Sequence, residues 1–261
     1  MTEIYLGTIA LEPNRWFGVT QDRWGTIVLR DWLDPIREAG FDGIELWESH
    51  LRDASDADAD AIIGHPLPIR VFNTYVGFDE DNDDRTHAAE WIRRTGADKV
   101  KWNTGPDRDN AALAAYGERL ADWAGQLPGV RLACECHDGS AMDDPEAAAR
   151  VLAAGGPPAQ SQAIVHSNDG HDRLRARFAA YGERITHVHV NNLDRGSPPL
   201  AELRDELRST ISLLDSLGFD GTWTIEFVHG TGTESDRPDL LLAQAAADLD
   251  VLRELVDRPR C

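Results

Sequence analysis

Short apolar runs alternate along the chain with longer amphipathic stretches, and glycine or proline marks most of the joints between them. Residues 5–10, 41–47, 69–75, 98–103, 131–139, 162–166, 185–192 and 222–228 predict strands. Between them, residues 26–39, 85–95, 110–127, a stretch opening at Asp144, 173–181, 200–217 and 239–256 predict helices, and 49–60 a loop with a short helix. Gly40, Gly96 and Gly218 stand where helices should stop. Asp144 is an expected N-cap, with Pro145 in the first helical position that proline prefers. GFDG occurs at 40–43 and again at 218–221, each time between a helix and a strand carrying a glutamate. Eight strands alternating with helices imply a parallel sheet, and that number of units implies closure into an α/β, single (β/α)8 TIM barrel. With no linker or shift of composition, one domain over 1–261 is expected.

Composition narrows the setting. The chain has 261 residues, 41% hydrophobic and 28% charged, enough for one large core. Its formal net charge is −20, and lysine occurs only at 99 and 101. So acidic a surface repels phosphate backbones and argues against nucleic acid. No apolar run is long enough for a bilayer, and the opening MTEIYLG has no basic region or cleavable apolar segment. Cys134 and Cys136 leave one strand on the same side, poorly placed to bridge each other, and the third cysteine is Cys261. A cytoplasmic protein is therefore expected.

Candidate chemistry gathers at the strand ends. In the fifth predicted strand, RLACECHDG, side chains alternate, so Ala133, Glu135 and His137 share one face. His166 ends the sixth strand, His187, His189 and Asn191 line the seventh, and Glu226 lies on the eighth. Successive members of Glu135, His166, His189 and Glu226 are separated by about one βα unit, so neighbouring strands aim them at a common point. Two converging carboxylates repel unless a cation stands between them. Mixed imidazole and carboxylate ligands suit Mn²⁺ first, with Co²⁺, Mg²⁺ or Zn²⁺ as alternatives.

These stretches resemble the xylose isomerase-like barrel superfamily, the sugar isomerase/epimerase and AP-endonuclease-2-like group. ECHDG is similar to its strand-five glutamate motif, ITHVHVNN to its strand-seven metal histidine, and GFDGTWTIEFVHG to its strand-eight glutamate. The resemblance covers essentially the whole chain and is densest from Arg131 onward. It implies that Glu135, His189 and Glu226 bind metal, and that Glu135 and Glu226 exchange the substrate proton. Strand six departs from the family pattern of Asp followed three residues later by His. His166 in place of the Asp is preferred here, with Asp169, or Asn168 together with His171, as the other arrangements.

Lys101 and Asn103 share a face of strand four, and a buried Glu45–Lys101 pair or a substrate-binding Lys101 are both consistent with that position. Trp16, Trp47 and Tyr75 are candidate walls against a sugar ring, whereas Trp102 alternates to the packing face. The expected substrate contacts are Trp16, Trp47, Lys101, Asn103 and Asn191. His137 is a candidate catalytic group or a loop anchor, and His187 a core histidine. His50, His65 and His87 read as loop or helix-surface residues.

The resemblance implies a metal-dependent isomerase or epimerase of a keto-sugar, working through an enediolate with Glu135 and Glu226 on opposite faces of the substrate. The nearest rival is a metal-dependent lyase that eliminates the β-substituent of a 3-keto-glycoside, some of whose relatives work with a small β partner subunit. A homo-oligomer is also compatible. An AP endonuclease would need additional ligands on strands three and four, where the chain has FNTY and KWNT. A sugar-binding barrel without chemistry is disfavoured by the retained Glu135, His189 and Glu226.

Overall fold

The computed structural model describes residues 2–12, 25–78, 83–190, 198–233 and 235–257. Eight parallel strands follow one another in chain order and close into a barrel. They are β1 (Ile4–Gly7), β2 (Gly43–Trp47), β3 (Ile69–Asn73), β4 (Lys99–Trp102), β5 (Arg131–Glu135), β6 (Ser161–His166), β7 (Ile185–Val190) and β8 (Thr222–Ile225). The helices are α1 (Leu33–Glu38), α2 (Ser49–Arg52), α3 (Asp56–Ile63), α4 (Asp84–Thr95), α5 (Asn110–Gln126), α6 (Pro145–Ala154), α7 (His171–Tyr181), α8 (Arg204–Ser216) and α9 (Pro238–Val256). The fold is thus the predicted (β/α)8 barrel.

Local chemistry explains where elements begin and end. Asp144 accepts the amide of Ala147 at 2.8 Å and caps α6, whose first residue is Pro145. Asp109 likewise caps α5 through the amides of Ala111 and Ala112. The repeated GFDG has a double cause. Its first glycines, Gly40 and Gly218, turn the chain out of α1 and α8 at φ 97° and 84°, in the left-handed region open to glycine. Its last glycines lie against the neighbouring strand, where a Cβ on Gly221 would come 2.2 Å from the Thr186 carbonyl oxygen and one on Gly43 2.9 Å from that of Pro68.

One predicted helix is shorter than expected. Residues 26–39 give a 3₁₀ turn over Leu29–Trp32 and then only α1. Glu12 accepts the amides of Thr26 and Ile27 and holds their stretch out of a helix. Pro35 lacks an N–H, so it fits the first turn of α1, and an α-helix running through from residue 26 would set its ring against the residue 31 carbonyl. Residues 5–10 likewise split into β1 and a 3₁₀ turn, Thr8–Leu11, and the polar stretch after β2 forms two helices instead of one.

The chain forms two compact units. One comprises Met1–Arg70, His189–Leu213 and Thr222–Cys261, the other Val71–Val188 and Leu214–Gly221. In the first, Ile4, Leu6, Ile44, Leu46 and Ile225 are fully buried. In the second, Val71, Val100, Leu132 and Ile164 are, with Lys101 registered opposite Ala133 and Glu135 opposite Ile164. Among the described residues no helix is long and apolar enough to cross a membrane.

Candidate functional site

Glu135 is the last residue of β5, and three donors from neighbouring strands converge on it. The Nζ of Lys101, from β4, lies 2.7 Å from its Oε2, and the Nδ2 of Asn103 donates to the same oxygen at 2.9 Å. The other oxygen, Oε1, faces Nε2 of His166 at 3.0 Å, where β6 ends. Glu135, Lys101 and His166 are all buried, so these contacts are little screened by water. Lys101 also lies over the Tyr75 ring, 4.3 Å from its centroid. Glu135, one strand over, is within its reach because a lysine stem spans the two-residue step from Ala133 to Glu135.

The loop after β6 explains the departure from the expected Asp. Asp169 turns back to accept the backbone N–H of His166 at 2.9 Å and pairs with Arg177 of α7, which is fully buried. Asn168 is exposed, and His171 opens α7. His166 is therefore the strand-six side chain that faces Glu135, and Asp169 steadies the turn beneath it.

A second cluster surrounds His189 near the end of β7. Its Nε2 lies 3.0 Å from Oε2 of Glu45 on β2, and its Nδ1 lies 3.2 Å from Oε2 of Glu226, directly after β8. All three side chains are buried. The backbone N–H of Glu226 donates to the Val190 carbonyl at 3.0 Å and fixes its place beside β7. A neutral imidazole carries one N–H, and ionised carboxylates only accept. A ring flanked by two carboxylates sits where a cation is favoured. Glu135 with His166, and Glu226 with His189, each bring a carboxylate and an imidazole together. Paired imidazole and carboxylate donors suit a divalent first-row ion, so these residue types fit the implied metal.

The remaining expectations sort as follows. His137 is exposed after β5; its Nδ1 meets the Asp138 carbonyl at 2.5 Å, and its ring centroid lies 6.4 Å from that of His166. Trp47 is buried at the end of β2 with its ring edge-on to His50, centroids 5.3 Å apart. Trp102 packs on Phe78, as its alternation predicts. His187 is fully buried. Trp16, Asn191 and Cys261 lie outside the described residues, and Cys134 and Cys136 are free buried thiols.

His50 corrects the sequence reading. It is buried, not on a helix surface, with Nδ1 2.9 Å from the Thr8 hydroxyl and Nε2 2.5 Å from Glu12. Burial pushes the Glu12 carboxyl up, but His50 and Thr26 outweigh it and hold that carboxyl below its ordinary value. The helix around His50 is too short to show an apolar face, so only the partners that follow β1 could have revealed it. Glu45 was likewise legible as a strand glutamate but not as the partner of His189.

A closed parallel barrel whose glutamates and histidines gather at the strand C-terminal ends belongs to the (β/α)8 proteins that carry their chemistry on that face. Within that class, the chain belongs to the xylose isomerase-like TIM barrel family, whose pattern matches residues 33–255. Several solved structures share the fold at low identity. An IolI protein with a bound zinc atom is 16% identical, with a TM-score of 0.66 over 99% of this chain and 100% of that one. The 3-keto-D-glucoside 4-epimerase YcjR from E. coli is also 16% identical, with a TM-score of 0.64 over 97% and 100%. Endonuclease IV from Thermus thermophilus is 16% identical, with a TM-score of 0.57 over 97% and 100%. No curated protein sequence matches the chain.

Proposed function

We propose that this chain is a divalent-metal-dependent sugar isomerase or epimerase acting on a keto-sugar, with the whole chain as one domain. The observation that carries the reading is the pairing of each candidate proton-transfer carboxylate with an imidazole at a strand end: Glu135 with His166, and Glu226 with His189. Glu135, His166, His189 and Glu226 would hold the ion, Mn²⁺ first and Co²⁺, Mg²⁺ or Zn²⁺ as alternatives. When bound, the ion would polarise the substrate carbonyl and favour loss of the neighbouring proton.

The side chains supply the rest. One of Glu135 and Glu226 removes the α-proton and the other returns it from the opposite face, while His166 holds Glu135 in place. Lys101 and Asn103 secure Glu135 through Oε2, which keeps Oε1 turned toward His166. Asn103 and Lys101, with Trp16, Trp47 and Asn191, are the proposed sugar contacts, and His137 a proposed proton-transfer group. The zinc of the IolI structure and the keto-glucoside named for YcjR support the metal and the substrate class. Net charge −20 opposes the nucleic-acid substrate that endonuclease IV would suggest. The reading includes a cytoplasmic setting, and a second copy or a small β subunit as the partner where one is needed.

The deciding experiment is to incubate Mn²⁺-loaded protein in D₂O with free ketoses and with 3-keto-glycosides, and to follow products by NMR. The expected product is a carbon-conserving isomer bearing deuterium at the reacting carbon. Glu135→Gln and Glu226→Gln should each lower its rate by at least about 10²-fold, the lower end for positioned acid–base groups. Aglycone release from 3-keto-glycosides, with free ketoses untouched, would replace epimerisation by β-elimination. Full rates in either variant would remove the two-carboxylate mechanism.

A further inference from the structure

Glu45 is used by nothing in the proton-transfer scheme, yet it is a fully enclosed acid on β2 aimed at the ring of His189. Its place depends on β1. Gly7 is registered opposite Glu45, so both face the same side of the sheet, and Gly7 adds no side chain there. Room at that position is short as well: a Cβ on Gly7 would come 3.2 Å from the Glu226 Cα. Glycine on β1 therefore lets the Glu226 backbone sit close.

The ring poses a protonation choice. Nε2 faces Glu45 at 3.0 Å and Nδ1 faces Glu226 at 3.2 Å. A metal ligand nitrogen must offer a lone pair, and the nitrogen opposite it then carries the proton. Glu226 stands on the Nδ1 side and is itself a proposed ligand, whereas Glu45 stands on the Nε2 side of the ring. Resting on the metal-site reading above, we infer that Glu45 is a positioning residue. It accepts the Nε2–H of His189, fixes that tautomer, and turns the Nδ1 lone pair toward the Glu226 carboxylate, where the ion would bind. Glu45 does not touch the ion. Its charge makes His189 a stronger donor, and its rigidity on β2 sets the ring plane.

Two measurements test this. The first needs no variant: ¹⁵N NMR of the His189 ring in Zn²⁺-loaded protein should show a proton on Nε2 and a metal-bound Nδ1. A ring with the proton on Nδ1 and a bare or metal-bound Nε2 would overturn the inference. If the wild-type protein binds no Zn²⁺, the metal reading fails by itself. The metal-free spectrum then still decides about Glu45, because a proton on Nε2 with a bare Nδ1 upholds it, and a bare Nε2 or protons on both nitrogens refute it. The second measurement compares Zn²⁺ affinity by calorimetry and the Co²⁺ absorption spectrum in Glu45→Ala and Glu45→Gln. A lost outer partner should weaken affinity about 10–100-fold in the alanine variant. The glutamine variant should recover part of that, since its amide oxygen still accepts from Nε2–H. The Co²⁺ spectrum should stay that of wild type in both. Unchanged affinity in Glu45→Ala, or an altered spectrum marking the loss of a direct ligand, would each overturn the assignment.

Discussion

At the scale of the residue, strand six gives the sharpest test. His166 faces Glu135, whereas Asp169 is committed to the His166 backbone and to Arg177. If both were ligands, removing either would cost metal affinity. On the geometry observed, His166→Ala should lose far more than the about 10–100-fold typical of an outer partner, and Asp169→Asn should nearly keep wild-type affinity. Asp169→Asn should instead lower stability, because it removes the charge of the carboxylate that pairs most closely with a fully buried arginine. Titrating Mn²⁺ into both variants decides the matter. Retained binding in His166→Ala would transfer the role to another group. That His166 ends strand six was legible because it closes an apolar run, while the duty of Asp169 was not. Turns that fold back on their own backbone leave no periodic mark in a sequence.

At the scale of the element, α9 carries a buried acid that no motif or spacing singles out. Asp248 accepts the Leu200 amide at 3.0 Å and the Gln244 side chain at 2.8 Å. Burial pushes its carboxyl up to about 6, with those hydrogen bonds and the His229 charge pulling only partly back. The unfolded chain ionises this group near the ordinary value, so between that value and about 6 the native state holds the extra proton. The stability it contributes is full at low pH and lost as pH rises through about 6. Asp248→Asn removes this titration and keeps an acceptor for Leu200. Its stability relative to wild type should therefore grow between about pH 4.5 and about pH 7.5, by about 2 kcal/mol at about 1.4 kcal/mol per unit. Urea unfolding of both proteins at the two pH values measures it, and parallel pH profiles would refute the account. Elements themselves were legible where caps and periodicity agreed, as in α6. They were misjudged where a distant side chain intervened, as Glu12 does ahead of α1.

At the scale of the whole molecule, the barrel was readable because the βα alternation repeats eight times, and the GFDG pair recurs where a left-handed turn meets a crowded strand start. Spacing alone also placed Glu135, His166, His189 and Glu226 at or next to the ends of successive strands. Charge acts on this same scale. The sequence carries 46 acids against 26 lysines and arginines, so the folded chain confines a net −20. Self-repulsion of that kind opposes compaction and is screened by salt. Its range shrinks from about 30 Å at 0.01 M to about 3 Å at 1 M. Salt also weakens favourable pairs, but those at the surface, such as Arg37–Asp34 and Arg237–Asp239, are exposed and of a kind worth only about 0–1 kcal/mol each. The Lys101–Glu135 and Arg177–Asp169 pairs are buried and little screened. Repulsion should therefore dominate the salt response. The metal-free protein's Tm should rise as KCl is raised from about 0.01 M to about 0.5 M, with most of the gain before the screening length falls below about 8 Å, near 0.15 M. A Tm that falls over this range would mean that attractive pairs outweigh the net charge, and would locate the stability of the fold in its surface ion pairs.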